Sequence, residues 1–223
     1  MSVKFNLSCV LFDLDGTLVD TAPDLIACLN TALKIHGFDQ VSSKEIKPYI
    51  SYGAAVMINQ SISTDETTQD KILDTMLSLY QDNIAKHSQF FPGIPETLKL
   101  IESLGLKWGI VTNKKARFTD PLMEAFKLTH RAACIISGDT TANSKPHPEP
   151  MLTACRVADV KPEECVYIGD AIHDIQAGKN SNMKTIAALY GYLKPEDSPS
   201  NWDADVLIES PKQLTSWITA TCH

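Results

Sequence analysis

The sequence predicts an α/β fold with a Rossmann-like parallel sheet as its core and a helical-bundle cap domain. Beyond about residue 91, short apolar runs alternate with segments of helical periodicity, as expected of a parallel sheet. Between about residues 21 and 87 the periodicity is helical and no run alternates convincingly as a strand. One further apolar run precedes this helical stretch. We therefore expect a core domain of residues 1–19 and 89–223 and an inserted cap domain of residues 20–88.

The first strand is predicted over Val10-Leu11-Phe12, and two carboxylates, Asp13 and Asp15, follow it directly. A short apolar run of this kind indicates a buried strand, and the glycine at position 16 marks its end and a turn. In open α/β sheets, ligands bind just beyond the carboxyl ends of the strands. Two acids there are unfavourable unless they face a cation or take part in chemistry. Taken alone, the motif is also compatible with a turn that carries two solvated acids.

A long helical segment is predicted to follow this turn. Thr21 can cap a helix whose first turn holds Pro23 and Asp24, and Gly37 closes that helix. Helical periodicity then continues to about residue 87. The apolar residues at helical spacing are Leu25, Ile26, Leu29, Leu33, Ile72, Leu73, Met76, Leu77 and Tyr80.

Five more apolar runs follow a turn cluster at residues 91–95, and helical segments separate them. Such alternation is typical of strands that helices join into a parallel sheet. The predicted strands are residues 108–111, 134–136, 165–168, 185–189 and 206–208.

Polar side chains suited to chemistry follow two of these runs, and a lysine lies between them. Thr112 and Asn113 follow one strand. Asp170 follows another, with Asp174 four residues later, and Lys145 lies in a proline-rich segment between the two. Four carboxylates, counting the two after the first strand, cannot be packed beside one lysine without a further cation. Oxygen ligands with no histidine or cysteine at ligand spacing favour Mg²⁺.

Each of these signals has an ordinary structural explanation when it stands alone. A Thr-Asn pair after a strand is commonly a turn or a helix cap, and a lone lysine is commonly a solvated surface charge. A Gly-Asp pair with a second acid four residues later can satisfy a helix N-terminus. Together with the two acids after the first strand, they make four signals in one chain, which favours a shared site.

The composition is that of an ordinary globular protein, with 43% hydrophobic and 21% charged residues among 223. A net charge of −7 argues against binding nucleic acid or an anionic membrane through a broad surface. A small anionic substrate still fits a pocket in which a metal or lysine reverses the local field. We expect neither signal peptide nor membrane span. The six cysteines show no metal-binding spacing and fit buried reduced thiols, so we expect a cytoplasmic protein.

Together the motifs resemble the haloacid dehalogenase (HAD) superfamily of phosphatases, in the branch whose helical cap lies between the first and second motifs. The resemblance covers nearly the whole chain. It rests on DLDGT at 13–17, the apolar run into Thr112, Lys145, and GDxxxD at 169–174. It implies a Mg²⁺-dependent phosphomonoesterase that acts on a small phosphorylated metabolite through an aspartyl-phosphate intermediate, as a monomer or homodimer.

The resemblance assigns the chemical roles residue by residue. Asp13 would be the nucleophile and a Mg²⁺ ligand. Asp15 would be the general acid and base, and its main-chain carbonyl would bind the metal. Asp170 would be the other protein ligand of the metal. Because the branch that cleaves carbon–halogen bonds uses neither this acid nor the metal, Asp15 favours phosphoryl transfer.

The remaining matched positions would lie around the phosphoryl group. Thr112 and the Asn113 amide would hold its oxygens, and Lys145 would neutralise them. Asp174 would lie beside the metal or behind its ligands. Ala171 is a departure, because many relatives have Ser or Thr there, so the role of Asp174 stays open.

The substrate also stays open in the sequence. Residues 20–25, 111–114 and 145–148 are similar to phosphoglycolate phosphatases, which makes 2-phosphoglycolate the first choice. The segment 190–197 is more similar to phosphatases of N-acetylmuramic acid 6-phosphate. A sugar phosphomutase of the same superfamily also fits the motifs, and a receiver-like phospho-acceptor signalling module is the candidate from a different class.

The cap is expected to select the leaving group through its loops. The candidate loops are residues 20–24 and 49–57, where a Ser-Tyr-Gly turn around Gly53 could approach the site. His173, between the two aspartates of the last motif, is expected on a helix surface rather than in the site.

Overall fold

The computed structural model describes residues 5–222, whose eight strands form two sheets. Six strands form a parallel sheet in the order β5-β4-β1-β6-β7-β8, and the other two, β2 and β3, form a short antiparallel ribbon. The strands are β1 (Cys9–Phe12), β2 (Val19–Asp20), β3 (Gln89–Phe90), β4 (Lys107–Val111), β5 (Cys134–Ile136), β6 (Cys165–Gly169), β7 (Lys184–Ala188) and β8 (Val206–Ile208).

Helices precede or follow nearly every strand, as the alternating pattern predicts. The helices are α1 (Ala22–Ile35), α2 (Ser43–Ile46), α3 (Ala54–Ser61), α4 (Glu66–Asp82), α5 (Ile94–Ser103), α6 (Ala116–Ala125), α7 (Glu149–Ala158), α8 (Ile172–Asn180) and α9 (Pro211–Cys222), with a 3₁₀ helix at Lys47–Tyr52. The predicted α/β class with a parallel sheet is confirmed. Within residues 5–222, no helix combines the length and the apolar character that a membrane crossing needs.

Strand β1 lies in the middle of the sheet, between β4 and β6. Its side chains are completely buried, because helices cover both faces of a parallel sheet. Val10 and Phe12 belong to the larger apolar cluster, which extends to α5 and α9, whereas Leu11 packs in a smaller cluster with α7. The chain builds β4 and β5 on one side of β1 and then crosses to β6 on the other. The crevice beyond the carboxyl ends of these strands is where such sheets bind ligands.

Helices α1 to α4 lie between the two strands of the ribbon, and α1 packs against α4. The two linkers to this helical segment pair with each other, since Val19 lies opposite Phe90 and Asp20 opposite Gln89. The buried carboxylate of Asp24 also joins α1 to the second linker. It accepts hydrogen bonds from the main-chain N–H groups of His87 and Ser88 at 2.8 and 2.9 Å. The exact division into core and cap remains a prediction.

Candidate active site

The predicted site residues come together at the carboxyl end of the parallel sheet. Asp13 follows β1, Thr112 follows β4 and Asp170 follows β6, so adjacent strands deliver all three to one edge. Asp174 lies in the first turn of α8, and Lys145 lies in the connection from β5 to α7. The strand order, rather than closeness in sequence, therefore assembles the site.

Lys145 is the hub of this cluster. Its side chain is 1% exposed, and its Nζ donates to Asp13 Oδ1 and Asp174 Oδ1, both at 2.7 Å. Nζ also lies 2.8 Å from the Tyr167 hydroxyl and 3.1 Å from the Val111 carbonyl oxygen. Burial alone would lower the pKa of Lys145, but the carboxylates of Asp13 and Asp174 raise it above its usual value. Lys145 is therefore a buried ammonium, not the surface charge that an isolated lysine suggests.

Three buried carboxylates lie close together around this ammonium, which bonds to Asp13 and Asp174. Oxygens of Asp13, Asp170 and Asp174 lie within 4.8 Å of one another. Burial and the neighbouring carboxylates raise the pKa of Asp13 to about 7, although Lys145 acts against this shift. Burial and the same neighbours raise the pKa of Asp170 well above its usual range. One ammonium does not balance three carboxylates, and their all-oxygen donor set fits a hard divalent cation such as Mg²⁺.

Asp174 is the acid that pairs with Lys145 and also caps a helix, and donors occupy both of its oxygens. Oδ1 accepts from Lys145, and Oδ2 accepts the main-chain N–H of Ala171 at 3.0 Å. Burial would raise the pKa of Asp174, but Lys145 and these hydrogen bonds hold it below its usual value. This geometry fits an acid that positions Lys145 and closes the first turn of α8.

Asp170 is held by three donors, one of which comes from the helical segment. Thr17 Oγ1 donates to Oδ1 at 3.2 Å, and the main-chain N–H of Tyr192 donates to Oδ2 at 2.8 Å. Ser51 Oγ also donates to Oδ2, at 2.8 Å. Gly16 has a φ of +84°, and a Cβ there would overlap the Asp170 carboxylate and the Tyr192 ring. Only glycine therefore fits at position 16 without displacing Asp170.

Ser51 lies in the Ser-Tyr-Gly turn, so one of the two predicted cap loops does reach the site. In the other, residues 20–24, Thr21 contacts Asp15, and the two acids have structural roles. Its Asp20 accepts a hydrogen bond from the Tyr192 hydroxyl at 2.7 Å and an ion pair from Lys47 at 3.3 Å, and Asp24 is bound to the second linker.

Asp15 is held by a lysine that sequence reasoning did not select. Lys114 Nζ lies 3.1 and 3.2 Å from the two carboxylate oxygens of Asp15, and Thr21 Oγ1 donates to Oδ1 at 2.5 Å. The ammonium also lies 4.5 Å from the centroid of the Tyr80 ring, on α4. Burial opposes the charge of Lys114, but Asp15 raises the pKa of this lysine. In the sequence, only the similarity of residues 111–114 to phosphoglycolate phosphatases pointed to Lys114.

Thr112 and Asn113 lie in the site in different ways. The Thr112 hydroxyl accepts the main-chain N–H of Lys114 at 3.1 Å. The side-chain amide of Asn113 bonds to the main chain of Lys145, with its Nδ2 donating to the carbonyl at 3.2 Å and its Oδ1 accepting the N–H at 3.0 Å. The Asn113 side chain therefore positions Lys145 rather than pointing freely at a ligand.

His173 is not on an open helix surface, contrary to the expectation from the sequence. Its side chain is 14% exposed, with Nε2 3.7 Å from Asp174 Oδ1, and its ring packs edge-on against Tyr52 at 5.7 Å. Burial lowers the pKa of His173, so the ring tends to be neutral. It lines the cavity above the carboxylates.

That cavity has a volume of about 570 Å³ and extends from the carboxylates to the helical segment. Its floor carries Asp13, Asp15, Thr112 and Lys145. The opposite wall is mainly apolar. The residues of that wall are Leu25, Ile50, Met57, Leu73, Leu77, Tyr80 and Phe118. A phosphate bound at the floor would have its leaving group against this wall.

The model of the haloacid dehalogenase-like hydrolases matches residues 10–188, which include every residue of the cluster. The chain belongs to this family. Family members generally use Mg²⁺, and the aspartate cluster is able to bind a metal. Membership in a hydrolase family decides against the receiver-like signalling module.

Curated phosphatases match this chain along nearly their whole length. An N-acetylmuramic acid 6-phosphate phosphatase of Pseudomonas putida is 40% identical over 220 residues, covering 97% of this chain and 99% of that protein. A phosphoglycolate phosphatase of Xanthomonas campestris pv. campestris is 37% identical, covering 92% and 93%.

The solved structures agree with this assignment. The crystal structure of a predicted phosphoglycolate phosphatase from Haemophilus somnus 129PT has a TM-score of 0.85 and 25% identity, covering 98% of this chain and all of that one. The chain is accordingly a phosphoric monoester hydrolase of the HAD family.

Proposed function

We propose that this protein is a Mg²⁺-dependent phosphomonoesterase that transfers the phosphoryl group of a small metabolite to Asp13 and then to water. The observation that carries the proposal is the Lys145 hub, which fixes Asp13 beside two further buried acids at the carboxyl end of β1. The expected binding partner is this small phosphorylated metabolite.

Asp13 acts as the nucleophile. One of its carboxylate oxygens attacks phosphorus in line with the ester oxygen, a P–O bond to Asp13 forms, and the bond to the leaving alkoxide breaks. Lys145 holds the attacking carboxylate in place and offsets the charge on the phosphoryl oxygens. Asp174 and the Asn113 side chain fix Lys145, while Thr112 and the main-chain N–H of Asn113 face those oxygens.

Asp15 acts as the acid and then as the base. In the first step it gives a proton to the departing alkoxide, and in the second it takes a proton from the water that attacks the aspartyl-phosphate. Lys114 and Thr21 hold its carboxylate, which sets the direction in which it faces the cavity. Asp15 follows Asp13 by two residues in a turn, so its carboxylate lies near the nucleophile without contacting it.

Asp13, Asp170 and the main-chain carbonyl of Asp15 would hold the Mg²⁺, with Asp174 behind them. When bound, the ion neutralises the clustered carboxylates and stabilises the charge that develops on the phosphoryl group. Ser51 would help to orient Asp170 when the helical segment covers the site.

Two substrates are supported by different observations. The motifs around residues 20–25, 111–114 and 145–148 favour 2-phosphoglycolate. The cavity of about 570 Å³ favours the larger N-acetylmuramic acid 6-phosphate, which is also the substrate named for relatives at 39 and 40% identity.

A substrate panel tests the proposal. Phosphate release is measured with 2-phosphoglycolate, N-acetylmuramic acid 6-phosphate, hexose phosphates and p-nitrophenyl phosphate, in Mg²⁺ and in EDTA. We expect turnover in Mg²⁺ only, with one substrate far ahead of the others. Interconversion of glucose 1-phosphate and glucose 6-phosphate with little phosphate release would instead identify a phosphomutase. No turnover of any of them would contradict both.

A further inference from the structure

The cavity is much larger than a phosphate site needs. Its volume of about 570 Å³ equals that of about 19 water molecules in the liquid. A two-carbon acid phosphate is only a few atoms larger than phosphate and would fill a small part of it. The remaining space lies between the carboxylate floor and the helices above, where a leaving group would lie.

Two cations at the cavity have no counter-ion. Lys115 and Arg117, at the beginning of α6, line the cavity and are exposed. Neither forms an ion pair with any residue between 5 and 222, in contrast to Lys114, which is paired with Asp15. Asp139, which lies at this helix start, accepts the main-chain N–H of Ala116 at 2.8 Å.

The guanidinium of Arg117 also stacks on an aromatic ring. Its guanidinium carbon lies 4.5 Å from the centroid of the Phe118 ring, and Phe118 lines the same cavity. A stacked guanidinium is well suited to bind a carboxylate through two parallel hydrogen bonds. In a protein with a net charge of −7, unpaired cations at the wall of the substrate cavity point to an anionic group of the ligand.

Two buried hydroxyl groups at the cavity lack partners. The phenol oxygens of Tyr80 and Tyr52 are inaccessible to solvent and have no hydrogen-bond partner in the described chain. Tyr80 is 1% exposed, and both rings line the cavity. Because these oxygens are inaccessible, the two tyrosines offer the cavity the surface of their rings and not their hydroxyl groups.

We infer that Arg117, assisted by Lys115, binds a carboxylate on the leaving group and so selects the phosphomonoester of a bulky, polar acid, such as a sugar acid. The inference rests on the proposed phosphatase activity and names the substrate class of that same site. The rings of Tyr80 and Tyr52 and the apolar wall pack against the ring and methyl groups of the leaving group.

A matched pair of substrates tests this inference. N-Acetylmuramic acid 6-phosphate differs from N-acetylglucosamine 6-phosphate by a lactyl ether, which carries the carboxylate. We expect the wild-type enzyme to prefer the acid in kcat/KM. Arg117→Gln is expected to reduce that preference by about 10- to 100-fold, the range of a charged hydrogen bond, mainly through a higher KM. Arg156→Gln, which removes an exposed arginine of α7 outside the cavity, should leave the preference unchanged.

Three results would overturn the inference: equal use of both sugars by the wild-type enzyme, an equal loss with both in Arg117→Gln, or a higher kcat/KM with 2-phosphoglycolate than with the sugar acid. In each case Mg²⁺-dependent hydrolysis of p-nitrophenyl phosphate would show that the proposed phosphatase activity stands. Absence of that hydrolysis as well would mean that the proposed function itself is wrong.

Discussion

Replacing Lys145 by methionine tests the hub of the site. Lys145→Met keeps the length and most of the volume of the side chain but removes the ammonium. Asp13 and Asp174 then lose their shared partner at 2.7 Å while both remain buried. We expect a strong loss of stability in the absence of metal, because an uncompensated buried carboxylate is more unfavourable than the pair it replaces.

The magnitude follows from burial rather than from the number of contacts. Removing one partner of a buried ion pair costs about 3–5 kcal/mol, whereas an exposed pair contributes about 0–1 kcal/mol. Because Lys145 is 1% exposed, the first range applies. For a chain of 223 residues, this loss corresponds to a fall in Tm of about 6–20 °C.

Urea unfolding in EDTA, followed by tryptophan fluorescence, measures this loss. Lys179→Met is the control, because Lys179 pairs with Asp203 on the surface, where the side chains are 40% and 85% exposed. We expect the control to change the free energy of unfolding by less than about 1 kcal/mol. If Lys145→Met changed it by no more than the control, the reasoning about the buried hub would be refuted.

Three further predictions concern other parts of the molecule. Gly16→Ala should lower the free energy of unfolding by at least about 1–2 kcal/mol, because its φ is +84°. It should also abolish Mg²⁺-dependent turnover, because the new Cβ displaces Asp170. Asp24→Asn should destabilise by about 1–3 kcal/mol in the same unfolding assay, because the linker N–H groups lose a charged acceptor. Burial raises the pKa of Cys28 to about 11, so a thiol reagent at pH 8 should label Cys222 first and the five buried cysteines only after unfolding.

Each of these predictions has an outcome that would contradict it. A fully active Gly16→Ala enzyme would mean that the turn does not hold Asp170. Unchanged stability in Asp24→Asn would mean that the link between α1 and the second linker contributes little. Rapid labelling of more than one thiol in the folded protein would show that the sheet interior opens readily.

Sequence patterns predicted the sheet well because each strand is an apolar run of its own. The strand predicted at residues 134–136 has those bounds in the structure, and the one predicted at 185–189 is shifted by one residue to Lys184–Ala188. The ribbon strands Val19–Asp20 and Gln89–Phe90 were not predicted. A strand of two residues is too short to show a periodicity, so only its pairing with the other strand identifies it.

The site residues that belong to a sequence motif were predictable, but their burial and their contacts were not. Lys145 and Lys114 both lie in loops, and nothing local shows that one is buried among carboxylates and the other bound to Asp15. Ser51 reaches Asp170, and Tyr52 packs against His173, because the helical segment packs over the sheet. Such contacts depend on how distant segments pack, which a single sequence does not reveal.

The most direct test of the account is phosphate release by the wild-type protein and by Asp13→Asn, each with its best substrate and with p-nitrophenyl phosphate, in Mg²⁺ and in EDTA. The variant keeps the shape of the side chain but loses the nucleophilic carboxylate. We expect wild-type turnover in Mg²⁺ only, and a loss of about 10³-fold or more in the variant. An Asp13→Asn protein that kept more than a few per cent of the wild-type rate, or a wild-type rate unaffected by EDTA, would contradict the account.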